Sequence, residues 1–93
     1  MRNYEAIFIF RPEEDMLGKG KTDVLEEFKN AGIQVLQEID MGLRELAYEI
    51  KKTAQGHYIN FEIQSSPEKL QPLDRIFRLK NEILKFVFFR KDE

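Results

Sequence analysis

A chain of 93 residues, 42% hydrophobic and 34% charged, is long enough for one domain with a single core between two layers, and short for an enzyme cleft with walls of its own. Cysteine is absent, which excludes a disulfide framework, a zinc-thiolate site and a thiol nucleophile and agrees with a reducing compartment. The net charge of −2 argues against a generic nucleic-acid binder.

The charge is unevenly spread. Residues 1–41 carry 5 basic and 9 acidic side chains, net −4, and residues 42–93 carry 10 basic and 8 acidic, net +2. Any polyanion contact is therefore expected to use selected basic residues of the second half. No apolar run approaches the roughly 20 residues that span a bilayer. Glu5 interrupts the apolar stretch behind Arg2, so no signal peptide is expected and the cytoplasm is the default location.

Tyr4 to Phe10 reads as a strand, rich in aromatic and β-branched residues with apolar groups on both parities, as central strands have. Arg11-Pro12 ends it. A helix is predicted from a start near Asp15–Lys21 to about Ala31. Its apolar stripe is Leu17, Val24, Leu25 and Phe28; Gly18 and Gly20 weaken its first turn, and Gly32 stops it. Ile33 to Met41 alternates, with Ile33, Val35 and Ile39 expected on the apolar side beside Gln37. Gly42 marks a bulge or bend, and the strand can run on to Ile50.

Lys51 to Gly56 reads as a loop and His57 to Gln64 as the third strand, with Ile59, Phe61 and Ile63 on one face. Ser65-Ser66-Pro67-Glu68 signals a helix start through a serine cap, a first-turn proline and a dipole-favoured acid. That helix should reach about Leu79 on Leu70, Leu73, Ile76 and Phe77, with Asn81 as a stop. Ile83 to Arg90 is the last strand, and Lys91-Asp92-Glu93 shows no pattern. The β-α-β-β-α-β order with right-handed crossovers predicts an α+β, ferredoxin-like fold across residues 1–93: a four-stranded antiparallel sheet with both helices on one face.

Catalytic chemistry finds little support. His57 is the one histidine, and no second group with suitable spacing accompanies it. Glu13-Glu14, Glu26-Glu27 and Asp92-Glu93 read as solvated helix faces or a loose terminus, since adjacent helical residues do not face one site. Gly18 and Gly20 fit neither phosphate-loop spacing. An acylphosphatase-like hydrolase on the same fold would need a phosphate cradle after strand one, where Glu13, Glu14 and Asp15 repel phosphate. No catalytic, cofactor or metal site is expected.

Two constellations remain. Arg2, Arg44, Lys51, Lys52, Arg78, Lys80, Lys85, Arg90 and Lys91 sit beside strands and turns, where such residues can pair with RNA phosphates or merely keep a domain soluble. The aromatics Tyr4, Phe8, Phe10, Tyr58, Phe61, Phe86, Phe88 and Phe89 are mostly core. Because strands one and four are apolar on both parities, the sheet face without helices should expose apolar groups. A protein partner, a stacked base or self-association could cover it. The RNA-recognition motif shares the element order, but Gln55 replaces the basic residue its third strand begins with.

Several segments carry a resemblance: Met1-Arg2-Asn3-Tyr4-Glu5; Pro12; Gly32; Gly42-Leu43-Arg44-Glu45-Leu46-Ala47-Tyr48; and Arg78-Leu79-Lys80-Asn81-Glu82-Ile83-Leu84-Lys85-Phe86. In this order the chain resembles the bacterial small-subunit ribosomal protein S-six family over nearly its whole length, most specifically at Gly42 to Tyr48. The resemblance implies a non-catalytic protein of the small-subunit platform that binds the central domain of its ribosomal RNA in a heterodimer with ribosomal protein S-eighteen. By resemblance, Arg2 and Arg44 are the leading RNA-facing positions, and Lys51, Lys52, Arg90 and Lys91 are weaker ones. Glu49 stands where the family usually has proline. Glu45 stands where a second basic residue is often found, which should weaken that contact. Many members have a longer C-terminal tail that helps dock the partner. Without the resemblance, a self-associating, ferredoxin-like sensing domain is the alternative.

Overall fold

The computed structural model describes residues 2–91. Its elements are β1 (Arg2–Phe10), α1 (Glu14–Asn30), β2 (Gln34–Ile50), β3 (Thr53–Ser65), α2 (Pro67–Arg78) and β4 (Ile83–Arg90). The sheet order is β2-β3-β1-β4 with every neighbour antiparallel, the expected ferredoxin-like architecture. Tyr4, Ala6, Phe8 and Phe10 of β1 bury one parity against the helices. Phe8 is fully buried, with the rings of Phe10, Phe28, Phe61, Phe77, Phe86 and Phe88 at 5.0–6.3 Å. Such pairs add about 0.5–1.5 kcal/mol each beyond buried area. Phe8 therefore ties sheet and both helices into one core.

α1 starts at Glu14, earlier than the glycines suggested. Glu14 and Asp15 in the first turn and Lys29 in the last match the helix dipole, although Glu13 makes no side-chain cap bond. Gly20 is no frayed start: it is buried mid-helix, where a Cβ would lie 2.7 Å from Phe10 Cδ1. The helix ends as expected at Gly32. There the Gly32 N–H donates to Lys29 O at 3.0 Å and the Ile33 N–H to Phe28 O at 2.9 Å, the paired bonds of a Schellman stop.

β2 departs from the simple alternation. Val35 pairs with Ile63 on the core side, but a register shift between Val35 and Gln37 puts Ile39 opposite Asn60 on the other face. One inserted residue inverts the facing of those that follow, up to the next shift, so Ile39 is 37% exposed rather than core. Gly42, at φ +86, makes the second shift, between Asp40 and Gly42, as its position predicted.

The expected loop at 51–56 is a two-residue turn instead. Ile50 pairs with Thr53, and Lys51 and Lys52 have φ of 50 and 63, the mirror-image geometry that matches strand twist. Gly56 lies within β3, where any Cβ would fall 2.3 Å from Ile9 Cγ2; this glycine makes room for Ile9.

α2 begins at Pro67, with Ser66 at the cap position but without a side-chain cap bond. Its buried residues, Leu70, Leu73 and Phe77, hold it through the interior Pro72. β4 follows as predicted. Arg11, just past β1, fastens this corner: its N–H groups donate to Asn81 O (2.8 Å), Thr53 Oγ1 (2.9 Å) and Asn81 Oδ1 (3.2 Å).

Candidate nucleic-acid interface

The helices leave one sheet face open, and the register writes that face as rows across the strands. Gln37, Glu62, Glu5 and Phe89 form one row. The next is Ile39, Asn60, Ile7 and Val87, followed by Gly42, Tyr58, Ile9 and Lys85, and then by Arg44 beside Gly56. Val87 and Phe89 are 39% and 51% exposed, so the apolar face expected from the double parity of β1 and β4 exists. A shallow groove of about 230 Å³ is lined by Ile7, Ile9, Tyr58, Lys85, Phe86, Val87 and Phe89.

Arg44 sits at the hairpin end of this face. Its guanidinium lies 5.7 Å from the Tyr58 ring centroid, and its Nε–H reaches Met41 O at 3.4 Å. The Gly42 bulge that aims it is held by Asp40: Oδ1 accepts the Gly42 N–H at 2.9 Å and lies 2.6 Å from His57 Nε2. The His57 hydrogen bond, helped by the Gly42 N–H, holds the Asp40 carboxyl below its ordinary pKa. His57 thus braces the bulge.

Lys51 and Lys52 lie at the same end. The Lys51 ammonium donates to Ile83 O at 2.8 Å, so it is partly structural. Lys51, Arg78 and Lys85 line a cleft of about 330 Å³ over Phe77, Ile83, Leu84 and Phe86. Lys85 was absent from the leading RNA candidates, yet it occupies the open face in the row of Tyr58, its ammonium 3.5 Å from Tyr48 Oη. Its odd parity with Val87 and Phe89 was the available signal.

Arg2, Arg90 and Lys91 lie at the far end. Arg2 pairs with Ser65 and Arg44 with Gly56, placing them roughly 30 Å apart along β3. Arg90 is opposite Tyr4 and so shares the helix-side parity with Arg2. The Lys91 N–H bonds Asn3 O at 2.9 Å, while its ammonium is 3.7 Å from Glu62. The six expected positions therefore form two groups at opposite ends of the sheet.

Four other cations pair with carboxylates of the chain. Lys19 bridges Glu82 (2.9 Å) and Asp23 (3.1 Å), Lys21 pairs with Glu38 (2.6 Å), Lys80 with Asp23 (3.6 Å) and Arg78 with Asp74 (2.7 Å). The Lys19 hydrogen bond holds Glu82 below its ordinary pKa. Glu14, Asp15, Glu26 and Glu27 make α1 acidic, so phosphate is favoured at the hairpin end and disfavoured over this helix. Among the described residues, no cluster of three or more His, Asp or Glu side chains could hold a metal, and no helix is long and apolar enough to cross a membrane.

These features define a small α+β domain with an uncovered sheet face and cations at both ends of the sheet. The model of the family "Ribosomal protein S6" matches residues 3–90. The small ribosomal subunit protein bS6 of Treponema denticola is 38% identical over 93 residues, covering 100% of both chains. That of Moorella thermoacetica is 31% identical over 97 residues, covering 100% of this chain and 97% of the relative. The crystal structure of 30S ribosomal protein S6 from Thermotoga maritima superposes with a TM-score of 0.87 at 29% identity, covering 97% of this chain and 87% of that one. The chain belongs to the ribosomal protein S6 family of the small subunit, and ribosome association in the cytoplasm goes with that membership.

Proposed function

We propose that this chain is a non-catalytic structural constituent of the small subunit that binds the central domain of small-subunit ribosomal RNA together with ribosomal protein S-eighteen. Arg44 over the Tyr58 ring at the hairpin end carries the reading: a planar cation held at an aromatic face is prepositioned for phosphate or sugar. Lys51, Lys52 and Lys85 extend that contact. Arg2, Arg90 and Lys91 supply a second, separate contact at the far end, where Arg2 and Arg90 share the helix-side parity. The partner protein covers the apolar rows between, where Ile7, Val87 and Phe89 offer surface that water covers poorly.

The test replaces Arg2 and Arg44 by alanine, singly and together, and measures RNA binding with the partner present. Each loss should weaken binding, and the two should add because the sites are far apart. Wild-type binding by the double variant would remove both residues from the interface.

A further inference from the structure

Asn60 occupies the centre of the open face yet is only 9% exposed, and its Oδ1 is buried without a hydrogen-bond partner among the described residues. It stands in the row Ile39–Asn60–Ile7–Val87, flanked by aliphatic side chains. Elementary energetics favours a leucine there: the same branched shape, apolar, with no orphaned carbonyl. An unsatisfied carboxamide within an apolar row costs stability in the free chain, and an isolated buried polar group can fix register and partner choice.

We propose that Asn60 is the polar specificity determinant of this face: the protein docked there places a hydrogen-bonding group on the Asn60 carboxamide while its apolar side chains cover Ile39, Ile7 and Val87. This rests on the preceding reading of the face as the partner-docking surface and adds what the partner must carry. Oδ1 faces inward, so the partner's group meets the outward edge of the carboxamide. The occupant is a protein rather than RNA because Glu5 and Glu62 form the adjoining row and repel phosphate, while the groove along Ile7 is mostly apolar, lined by Ile9, Phe86, Val87 and Phe89 alongside Tyr58 and Lys85. Charge complementarity sets its orientation. The docked segment carries a basic group over Glu5 and Glu62 and an apolar centre over Ile7 and Val87.

The test uses Asn60→Leu, Asn60→Ala and Val87→Glu in the full chain, with calorimetric binding of ribosomal protein S-eighteen and thermal melting of the free chain. Asn60→Leu should melt higher than wild type yet bind the partner at least tenfold more weakly. Asn60→Ala should also lose at least tenfold, which keeps the test alive if the leucine variant misfolds. Val87→Glu should abolish binding. If Val87→Glu abolishes binding while both Asn60 variants bind like wild type, the role of Asn60 is wrong and the docking face stands. If Val87→Glu binds normally, or wild type does not bind, the docking face itself is wrong and this inference falls with it. Loss of RNA binding without loss of partner binding in Asn60→Leu would overturn it in favour of a nucleic-acid face.

Discussion

The guanidinium of Arg44 lies over the ring of Tyr58, 5.7 Å from its centroid, on the one sheet face that no helix covers. The two residues are diagonal neighbours across the Gly42 bulge: Gly42 is opposite Tyr58, and Arg44 is opposite Gly56. The bulge turns a strand arginine into a cation resting on an aromatic plate with its outer edge free for an anion.

Arg44→Ala should therefore weaken RNA binding by about 1–2 kcal/mol, roughly 5–30-fold, and lower the slope of log affinity against log salt by about 1. Arg44→Lys keeps the charge but loses the stacked plane, so its slope should match wild type while its affinity falls between. Binding titrations across a salt series check both, and an unchanged slope in Arg44→Ala would remove Arg44 from phosphate contact.

The hairpin turn trades stability for charge. Lys51 and Lys52 are both left-handed, a conformation that costs a non-glycine residue about 1–3 kcal/mol. Lys52→Gly should stabilise the free chain by about 0.5–1 kcal/mol, since relief of strain exceeds the added unfolded-state entropy of glycine. The same variant should bind RNA more weakly. Denaturant unfolding and RNA titration on one preparation test the trade.

Gly56 has the opposite character. A methyl group there would meet Ile9 Cγ2 at 2.3 Å, so Gly56→Ala should cost about 1–3 kcal/mol by overpacking. Adding Ile9→Val, which removes one methyl from the same space, should recover part of it. Chemical denaturation of the single and double variants measures the coupling.

Glu82 gives the acid-side behaviour. Lys19 holds its folded pKa below the ordinary glutamate value, so this ion pair contributes stability above the unfolded pKa of about 4.3. That contribution is lost as pH falls through the folded value. Asp40, lowered by His57, acts in the same direction. Glu82→Gln should flatten the acid limb of the stability profile relative to wild type while leaving its shape near neutral pH. An unchanged acid limb would mean that the Lys19–Glu82 contact does not persist in solution.

Much of the architecture was legible because local signals agreed with one another. β4 spans Ile83–Arg90 as read, and Gly32 ends α1 through the left-handed stop its position suggested. Ile39 misled because a register shift leaves no mark in the alternation when the inserted residue, Leu36, is itself apolar. The tight turn at Lys51–Lys52 was invisible because lysine is not a residue expected at positive φ, and nearby Gly56 drew attention to itself. Arg11 could not be read as the fastener of a corner, since its partners Thr53 and Asn81 are distant in sequence. The candidate RNA residues rest on residue type and resemblance. Their separation into two ends follows only from the register that sets Arg2 against Ser65 and Arg44 against Gly56.

The most direct measurement is binding of the purified chain to the central domain of small-subunit ribosomal RNA, with and without ribosomal protein S-eighteen, at low and high salt. A structural RNA-binding role predicts tight binding with the partner, much weaker binding without it, and a steep fall with salt. No binding at low salt with the partner present, together with concentration-dependent self-association of the chain, would contradict it and make the open face an interface between copies.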